Sequence, residues 1–150
     1  MAKVTFILGL CASGKTYQAK KLAKIETALL VDEGLNPYVD PPFGELYKKL
    51  ISSLKNGQNV VATEIALCDS SIRSRIVSLI DTDASGAEIK WICIENDLIQ
   101  ANKNIKYRIS KGEKGSPGHY DINEGISRIY TYPDGAEIIQ TFNPGEKAKE

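Results

Sequence analysis

The sequence predicts an α/β fold in which a mostly parallel sheet of about five strands carries helices on both faces. Two observations lead to this prediction. Short apolar, β-branched runs alternate along the chain with segments whose apolar residues recur at helical spacing. In addition, the first apolar run passes through a glycine-containing turn directly into the first helical segment. Because there are neither repeats nor a linker-like stretch, residues 1–150 are predicted to form a single domain.

The glycine-containing turn spans residues 9–16 and has the spacing G-x-x-x-x-G-K-T of a phosphate-binding P-loop. An apolar strand at residues 4–8 precedes it and a helix follows, which is the context that the motif requires. The motif predicts a P-loop NTPase fold that binds a nucleoside triphosphate. The residues predicted to bind the nucleotide are Gly9, Cys11, Ala12, Ser13, Gly14, Lys15 and Thr16.

The residue types of the motif suit a polyphosphate. Gly9 and Gly14 permit positive φ and a close approach of the backbone, so that N–H groups and the helix N-terminus point at the anion. Lys15 is expected to bridge the β- and γ-phosphates and to be essential for catalysis, and the Thr16 hydroxyl is expected to hold Mg²⁺. Cys11 is expected to be only a small residue of the loop.

The remaining elements are predicted from apolar spacing and from the positions of proline and glycine. After the first strand, further strands are predicted at residues 28–31, 59–63, 88–94 and 136–139. Helices are predicted at residues 17–25, 43–55, 98–111 and 121–130, and another begins at a cap formed by Asp69 or Ser70. In the first helix, Leu22 and Ile25 are expected to face the core. The tail, residues 143–150, is expected to be frayed.

Composition bounds the partners and the compartment. Nineteen Lys and Arg balance nineteen Asp and Glu, so any contact with a polyanion must be local. The cysteines Cys11, Cys68 and Cys93 are widely spaced, which is typical of a reducing compartment. No apolar run reaches the roughly 18 residues of a membrane span, and the chain begins without a signal-peptide pattern, so a cytoplasmic location and no membrane contact are expected.

Polar side chains follow each of the first four predicted strands, at the edge of the sheet where ligands of parallel sheets bind. Asp32 is predicted to be the base that accepts the proton of a hydroxyl acceptor, and Glu64 is predicted to orient Mg²⁺. Purely structural roles stay open as alternatives for both acids. Asp32 can begin a turn with Gly34, and Glu64 can cap a helix or pair with Arg73 or Arg75.

Positive charge collects after the fourth strand, which predicts a small basic lid at about residues 98–118. Arg108 is predicted to be catalytic by stabilising developing charge, and Lys111 and Arg128 are predicted to contact the nucleotide. The alternative is an ordinary solvated helix face. The cations of this segment are Lys103, Lys106, Arg108, Lys111 and Lys114.

This layout resembles the small P-loop kinases that include polynucleotide 5'-kinase and zeta-toxin-like enzymes. The resemblance implies ATP as the donor, Asp32 as the base and a lid with arginines, here Arg108. The third strand departs from the family pattern, because Ala62-Thr63-Glu64 stands where the family commonly has Asp. Compact kinases of this group also occur in phages, and some phosphorylate hydroxymethylated bases in DNA. The residues that carry the resemblance are the P-loop 9–16, Asp32 with Glu33, Leu67, Arg73 and the cationic helix after the fourth strand.

Three functions are compatible with these features. The first is an ATP- and Mg²⁺-dependent kinase whose hydroxyl acceptor is on nucleic acid, either a polynucleotide 5'-OH or a hydroxymethylated base, or on a nucleotide. The basic C-terminal third favours it. The second is a kinase for a small metabolite, which the zero net charge favours. The third is a nucleotide-binding ATPase or switch.

Overall fold

The computed structural model describes residues 2–113 and 117–147, without the side chains of residues 146 and 147. It contains a single five-stranded sheet within those ranges, and all strand pairs are parallel. This confirms the predicted fold class. The strands are β1 (Lys3–Leu8), β2 (Leu29–Asp32), β3 (Val60–Thr63), β4 (Glu88–Ile94) and β5 (Glu137–Ile139). Their order in the sheet is β2-β3-β1-β4-β5.

Helices connect the strands close to their expected bounds. A short 3₁₀ helix (Ile65–Cys68), which the sequence analysis missed, follows β3. None of the helices in the described ranges is long and apolar enough to cross a membrane. The α-helices are α1 (Lys15–Glu26), α2 (Gly44–Lys55), α3 (Ser70–Asp83), α4 (Leu98–Ser110), α5 (Gly118–Ile129) and α6 (Pro144–Lys147).

The sheet has a core on each face, as the strand periodicity requires. Alternate side chains of β1 point to opposite sides. Val4, Phe6 and Leu8 are buried in the larger core, which α2 and α3 cover. Ile7 faces the smaller core with Ala19 of α1. The placement of helices on both faces is therefore confirmed.

The expectation that Ile25 faces the core is wrong, because its side chain is 71% exposed. The buried residues of α1 are Lys15, Ala19 and Ala23, which follow one another at a spacing of four. Ile25 comes two residues after Ala23, which turns it about 200° around the helix. Leu22 is partly buried and packs against the smaller core, as expected.

The segments predicted to form a lid and a frayed tail contain α4 and α6, respectively. Ala101, Asn104 and Ile105 of α4 are buried, so the first part of the segment 98–118 belongs to the packed body. The predicted lid cation Lys114 lies outside the described residues. In the predicted frayed tail, the structure has the short helix α6, and residues 148–150 lie outside the described ranges.

Candidate active site

The P-loop joins β1 to α1 and presents the N-terminus of α1. Gly14 is the N-cap with a φ of 108°, and no side chain caps this helix end, which leaves N–H groups for an anion. Gly9, against expectation, has no positive φ, and Ala12 takes the left-handed conformation instead, with a φ of 65°. Close packing explains Gly9: a Cβ there would lie 2.5 Å from Ser13 Oγ and 3.1 Å from Ile94 Cβ.

Lys15 lies against the P-loop with only 8% of its side chain exposed. Its Nζ donates to the carbonyl oxygens of Gly9 at 2.9 Å and Leu10 at 3.0 Å. The same Nζ lies 3.7 Å from Oε1 of Glu33. The ammonium group is therefore positioned at the loop and faces an acid from the end of β2.

Asp32 ends β2 beside the first turn of α1. Its Oδ1 accepts hydrogen bonds from the hydroxyls of Thr16 at 3.1 Å and of Thr63 at 2.8 Å. Register places Asp32 opposite Thr63 in neighbouring strands, which explains the second contact. The structure thus brings the predicted base to the predicted magnesium ligand. Glu33 and Gly34 both have positive φ, so a turn follows β2, as the alternative interpretation of Asp32 expects. That interpretation does not explain the contacts of the Asp32 side chain.

Glu33 follows Asp32 in the left-handed conformation, with a φ of 60°. This backbone turn directs its carboxylate across the end of β3. Oε2 accepts from the backbone N–H of Ile65 at 3.3 Å, and Oε1 lies near Lys15. Glu33 was not among the predicted site residues, although it belongs to the acid pair at the end of the second strand.

Glu64 is buried and both of its carboxylate oxygens bind backbone amides. Oε1 accepts from Gly34 N at 3.2 Å, and Oε2 accepts from Ala66 N at 3.1 Å, which caps the 3₁₀ helix. Burial raises the pKa of this carboxyl, and the charge of Glu33 raises it further. The capping alternative is confirmed, and these contacts leave the predicted orientation of Mg²⁺ by Glu64 without support.

The alternative in which Glu64 pairs with an arginine is wrong. Arg73 is buried and donates to the carbonyl oxygens of Leu67 and Cys68, both at 2.9 Å. Arg75 donates to the Pro37 carbonyl at 3.0 Å. Both arginines therefore bind backbone carbonyl groups instead of Glu64.

The predicted cations differ in their relation to the P-loop. Arg108 is half-buried in the last turn of α4, the helix whose Asn104 donates to Ala12 O of the P-loop. Lys111 Nζ lies over the Tyr107 ring, 5.7 Å from its centroid. Arg128 is exposed and donates to Glu124 at 2.7 Å. Among the described residues, only Glu124 pairs with Arg128, so the structure does not bring this arginine to the P-loop.

Two buried asparagines hold the P-loop, and the sequence analysis did not find either. Asn123 of α5 accepts from Cys11 N at 2.7 Å and donates to Cys11 O at 3.1 Å. Asn104 of α4 donates to Ala12 O at 2.9 Å and to Phe142 O at 2.6 Å. The amide of Cys11, predicted to contact the nucleotide, is thus already bound. The only sequence signal was a weak one, an asparagine within each predicted helix.

The Ser13 backbone is held from the C-terminal side of the chain. Its carbonyl accepts from Phe142 N at 3.0 Å. The Ser13 hydroxyl donates to Leu10 O at 2.7 Å and closes the turn internally. Together with the asparagines, these contacts fix the loop from several elements.

A cleft of about 440 Å³ opens beside Glu33 and Glu64. Its walls come from the loop after β2, the 3₁₀ helix, the start of α3 and one face of α5. Clefts of this size are typical of small-molecule sites. Residues that line it include Gly34, Tyr38, Ile65, Asp69, Ile126 and Ile129.

Several solved structures have a similar fold. A gluconokinase from Sinorhizobium meliloti 1021 is 12% identical with a TM-score of 0.60, over 97% of this chain and 86% of that chain. A fungal RNA kinase is 16% identical with a TM-score of 0.60, over 93% and 76%. Chaetomium thermophilum Kti12, in complex with ADP-AlF3, is 10% identical with a TM-score of 0.60, over 97% and 94%.

Sequence comparison adds no closer relative, since neither a protein-family profile nor a curated protein matches the chain. At such low identities the structural similarity establishes the fold alone. The chain has the P-loop NTPase fold that these solved proteins share.

Proposed function

We propose that this chain is an ATP-dependent phosphotransferase that moves the γ-phosphate of ATP to the hydroxyl group of an acceptor. The observation that carries the proposal is the convergence of two P-loop side chains with two acids. Thr16 Oγ1 lies 3.1 Å from Asp32 Oδ1, and Lys15 Nζ lies 3.7 Å from Glu33 Oε1. Phosphoryl transfer depends mainly on positioning and on charge stabilisation, and this edge of the sheet offers groups for both. The similarity to solved kinases supports the proposal.

The nucleotide phosphates bind at the N-terminus of α1. Lys15 exchanges its contacts with Gly9 O, Leu10 O and Glu33 for the β- and γ-phosphate oxygens. The exchange also frees the carboxylate of Glu33. Backbone amides of the P-loop add donors without any side-chain movement.

The pairing of Thr16 with Asp32 fits a magnesium site. Mg²⁺ prefers hard oxygen ligands and is commonly held by one or two protein groups together with phosphates and water. A hydroxyl and a carboxylate that already share a hydrogen bond supply such a pair. The ion would neutralise charge on the phosphates. Because the described residues contain no cluster of three or more acids, His or Cys, an all-protein metal cage is not expected.

In the transfer step, the acceptor oxygen forms a bond to the γ-phosphorus while the bond from that phosphorus to the bridging oxygen of ADP breaks. The hydroxyl proton passes to a carboxylate of the protein. The sequence pattern favours Asp32 for this role. The contacts of the two acids support a division in which Asp32 positions the metal with Thr16 and Glu33, between Lys15 and the cleft, accepts the proton.

Arg108 is the described cation that we place near the transferring phosphate, because it is half-buried on α4, the helix whose Asn104 donates to Ala12 O of the P-loop. Lys111 and Arg128 would first have to leave Tyr107 and Glu124. We therefore expect a smaller contribution from these two residues than from Arg108.

Different features of the chain favour different classes of acceptor. The exposed lysines Lys103 and Lys106 on α4 favour a nucleic-acid acceptor, either a 5'-OH end or a hydroxymethylated base. The cleft of about 440 Å³ at the end of β3 favours a small molecule. An ATPase or switch needs no acceptor cleft at all.

The test is an incubation with γ-labelled ATP, Mg²⁺ and an acceptor panel of 5'-hydroxyl oligonucleotide, hydroxymethylated DNA, nucleosides and small alcohols. We expect label on one acceptor class, with no transfer by Lys15→Ala. Label released only to water supports an ATPase and contradicts the proposal. Equal transfer by Lys15→Ala and by the wild type contradicts the assignment of the P-loop.

A further inference from the structure

The cleft beside the P-loop has an apolar wall formed largely by isoleucines. Ile72 of α3 is 6% exposed, whereas Ile129 of α5 is 45% exposed and lines the open side. Ile65 and Ile126 line the cleft between them. Apolar side chains that stand open around a concave site are suited to contact with the apolar part of a ligand.

The charged side chains of the cleft are all acids. Glu64 and Asp69 line it, and among the described residues it has no lining lysine, arginine or histidine. The hydrogen bonds of Asp69 to Ser71 use Oδ1, so its charge is not neutralised by a cation there. An anionic group inside this cleft would face two carboxylates, which is unfavourable.

The nearest cations are directed elsewhere. Arg75 donates to the Pro37 carbonyl and lies 5.8 Å from the centroid of the Phe43 ring. Arg128, next to Ile129, pairs with Glu124. Both guanidinium groups therefore have other partners, and neither arginine lines the cleft.

Glu33 links the wall of the cleft to the proposed phosphate site. Ile65, whose side chain belongs to the wall, donates its backbone N–H to Glu33 Oε2, and Oε1 of the same carboxylate lies near Lys15. Gly34, the next residue, also lines the cleft. The Glu33 carboxylate therefore lies between Ile65, at the wall of the cleft, and Lys15 of the P-loop.

We propose that this cleft binds the phosphoryl acceptor, and that the acceptor is an uncharged hydroxyl compound with a largely apolar body rather than a carboxylate, a phosphate ester or a nucleic-acid backbone. The proposal rests on the kinase function proposed above. It adds the chemical class of the substrate, which the P-loop does not determine.

The test uses two pairs of probes, each an uncharged compound with an anionic counterpart: thymidine with thymidine 3'-monophosphate, and benzyl alcohol with 4-(hydroxymethyl)benzoate. The phosphate adds about two negative charges at neutral pH and the carboxylate adds one. Each is titrated into the full chain with labelled isoleucine methyl groups at low ionic strength. We expect the uncharged member of each pair to shift Ile126 and Ile129, and its charged partner to bind roughly tenfold more weakly. Ile25, exposed on α1, serves as the reference that should not shift.

Two variants sharpen the titration. Ile129→Ala should weaken binding of the uncharged probes by about tenfold, whereas the matched control Ile25→Ala, also at an exposed isoleucine, should not. Asp69→Asn keeps an oxygen for the Ser71 amide but removes a charge. It should therefore reduce the difference in affinity between the uncharged and the charged probe of each pair. Unchanged ATP affinity checks that each variant is folded.

Equal or tighter binding of the charged probes overturns the proposal, and so does the absence of any shift at Ile126 and Ile129 with the uncharged probes. A parallel transfer assay with γ-labelled ATP separates this failure from failure of the kinase function. Label on a charged acceptor alone refutes the cleft proposal and keeps the kinase. Binding of uncharged probes at the cleft, with label moving only to water, supports the cleft's charge preference and refutes the kinase.

Discussion

The ends of β2 and β3 lie side by side and carry similar residues, yet their acids have different environments. At the end of β2, Asp32 is exposed and Glu33 is half-buried, and both contact side chains of the P-loop. At the end of β3, Thr63 and Glu64 are buried, and Glu64 binds only backbone amides. The comparison shows that acids at one edge of the sheet can differ in role: those of β2 contact the side chains of Lys15 and Thr16, whereas Glu64 accepts from backbone amides.

Backbone conformation causes the difference. Glu33 has a φ of 60°, which turns the chain and directs its carboxylate towards Lys15. Glu64 is extended, with a φ of −164°, and immediately begins a 3₁₀ helix whose free N–H groups require an acceptor. The acid of β2 thus faces the P-loop, whereas the acid of β3 completes local structure.

The largest effect is expected at the lysine that the β2 acids face. Lys15→Ala removes the charge that bridges the phosphates and should reduce transfer to background in an assay with γ-labelled ATP. Lys20→Ala, an exposed position on the same helix, is the matched control and should retain full transfer. If both variants retain transfer, the P-loop is not the nucleotide site.

The next effect separates the two acids of β2. Asp32→Asn and Glu33→Gln should each lower turnover by roughly 10²–10⁴, the usual range for loss of a positioned acid or base. Only Asp32→Asn should also raise the Mg²⁺ concentration needed for half-maximal rate, because Asp32 contacts Thr16. An equal Mg²⁺ requirement in both variants would contradict the proposed division and return Asp32 to the role of base.

A smaller effect is expected at Asn123 of α5, which holds the P-loop through the backbone of Cys11. Asn123→Ala removes both hydrogen bonds to the Cys11 backbone and should lower the free energy of unfolding by about 1–3 kcal/mol and weaken ATP binding. Asn102→Ala is the control, since Asn102 contacts Asn123 but not the loop. Denaturant melts and nucleotide titration measure the two effects. Intact ATP affinity in Asn123→Ala would contradict a role in positioning the loop.

The smallest effect on turnover is expected at the end of β3. Glu64→Gln should lower transfer less than the β2 variants do, because Glu64 contacts no P-loop side chain among the described residues, although one of its two backbone amides loses an acceptor. A large loss of turnover together with a changed Mg²⁺ requirement would instead restore Glu64 to the metal site predicted from the sequence.

The difference in stability between the wild type and Glu64→Gln should depend on pH. Burial, and secondly Glu33, raises the pKa of Glu64 in the folded state above its ordinary value of 4.5. Between those two values the folded chain binds more protons than the unfolded chain, so the wild-type free energy of unfolding falls as pH rises through this window. Glu64→Gln lacks this contribution. The stability of the wild type relative to the variant should therefore decrease from acid to neutral pH in denaturant melts.

Local features of the sequence predicted most of the fold. The glycine spacing located the P-loop, and apolar periodicity located all five strands, because these patterns depend on neighbouring residues. The same reasoning placed Asp32 beside Thr16. It misplaced Ile25, since a helical stripe of small residues, with Ala19 and Ala23, makes a weaker apolar signal than an exposed isoleucine.

The rest of the candidate site depends on contacts that no local pattern encodes. Asn104 and Asn123 reach the P-loop across long stretches of sequence, and their residue type alone favours a turn as much as a buried contact. Whether Glu64 binds an ion or an amide depends on the conformation of the following residues. Charge density also did not distinguish Arg108, half-buried on the helix whose Asn104 holds the P-loop, from Arg128, which is exposed and pairs with Glu124.

The two asparagines also connect the P-loop to the order in which the chain folds. Their contacts join residues 92 and 112 positions apart, and Phe142 reaches the loop from the last part of the described chain. Contacts at such separation close large loops of chain and therefore form slowly. We expect a refolding chain to regain nucleotide affinity only after its sheet has assembled, even though the glycine pattern that specifies the loop occupies eight consecutive residues.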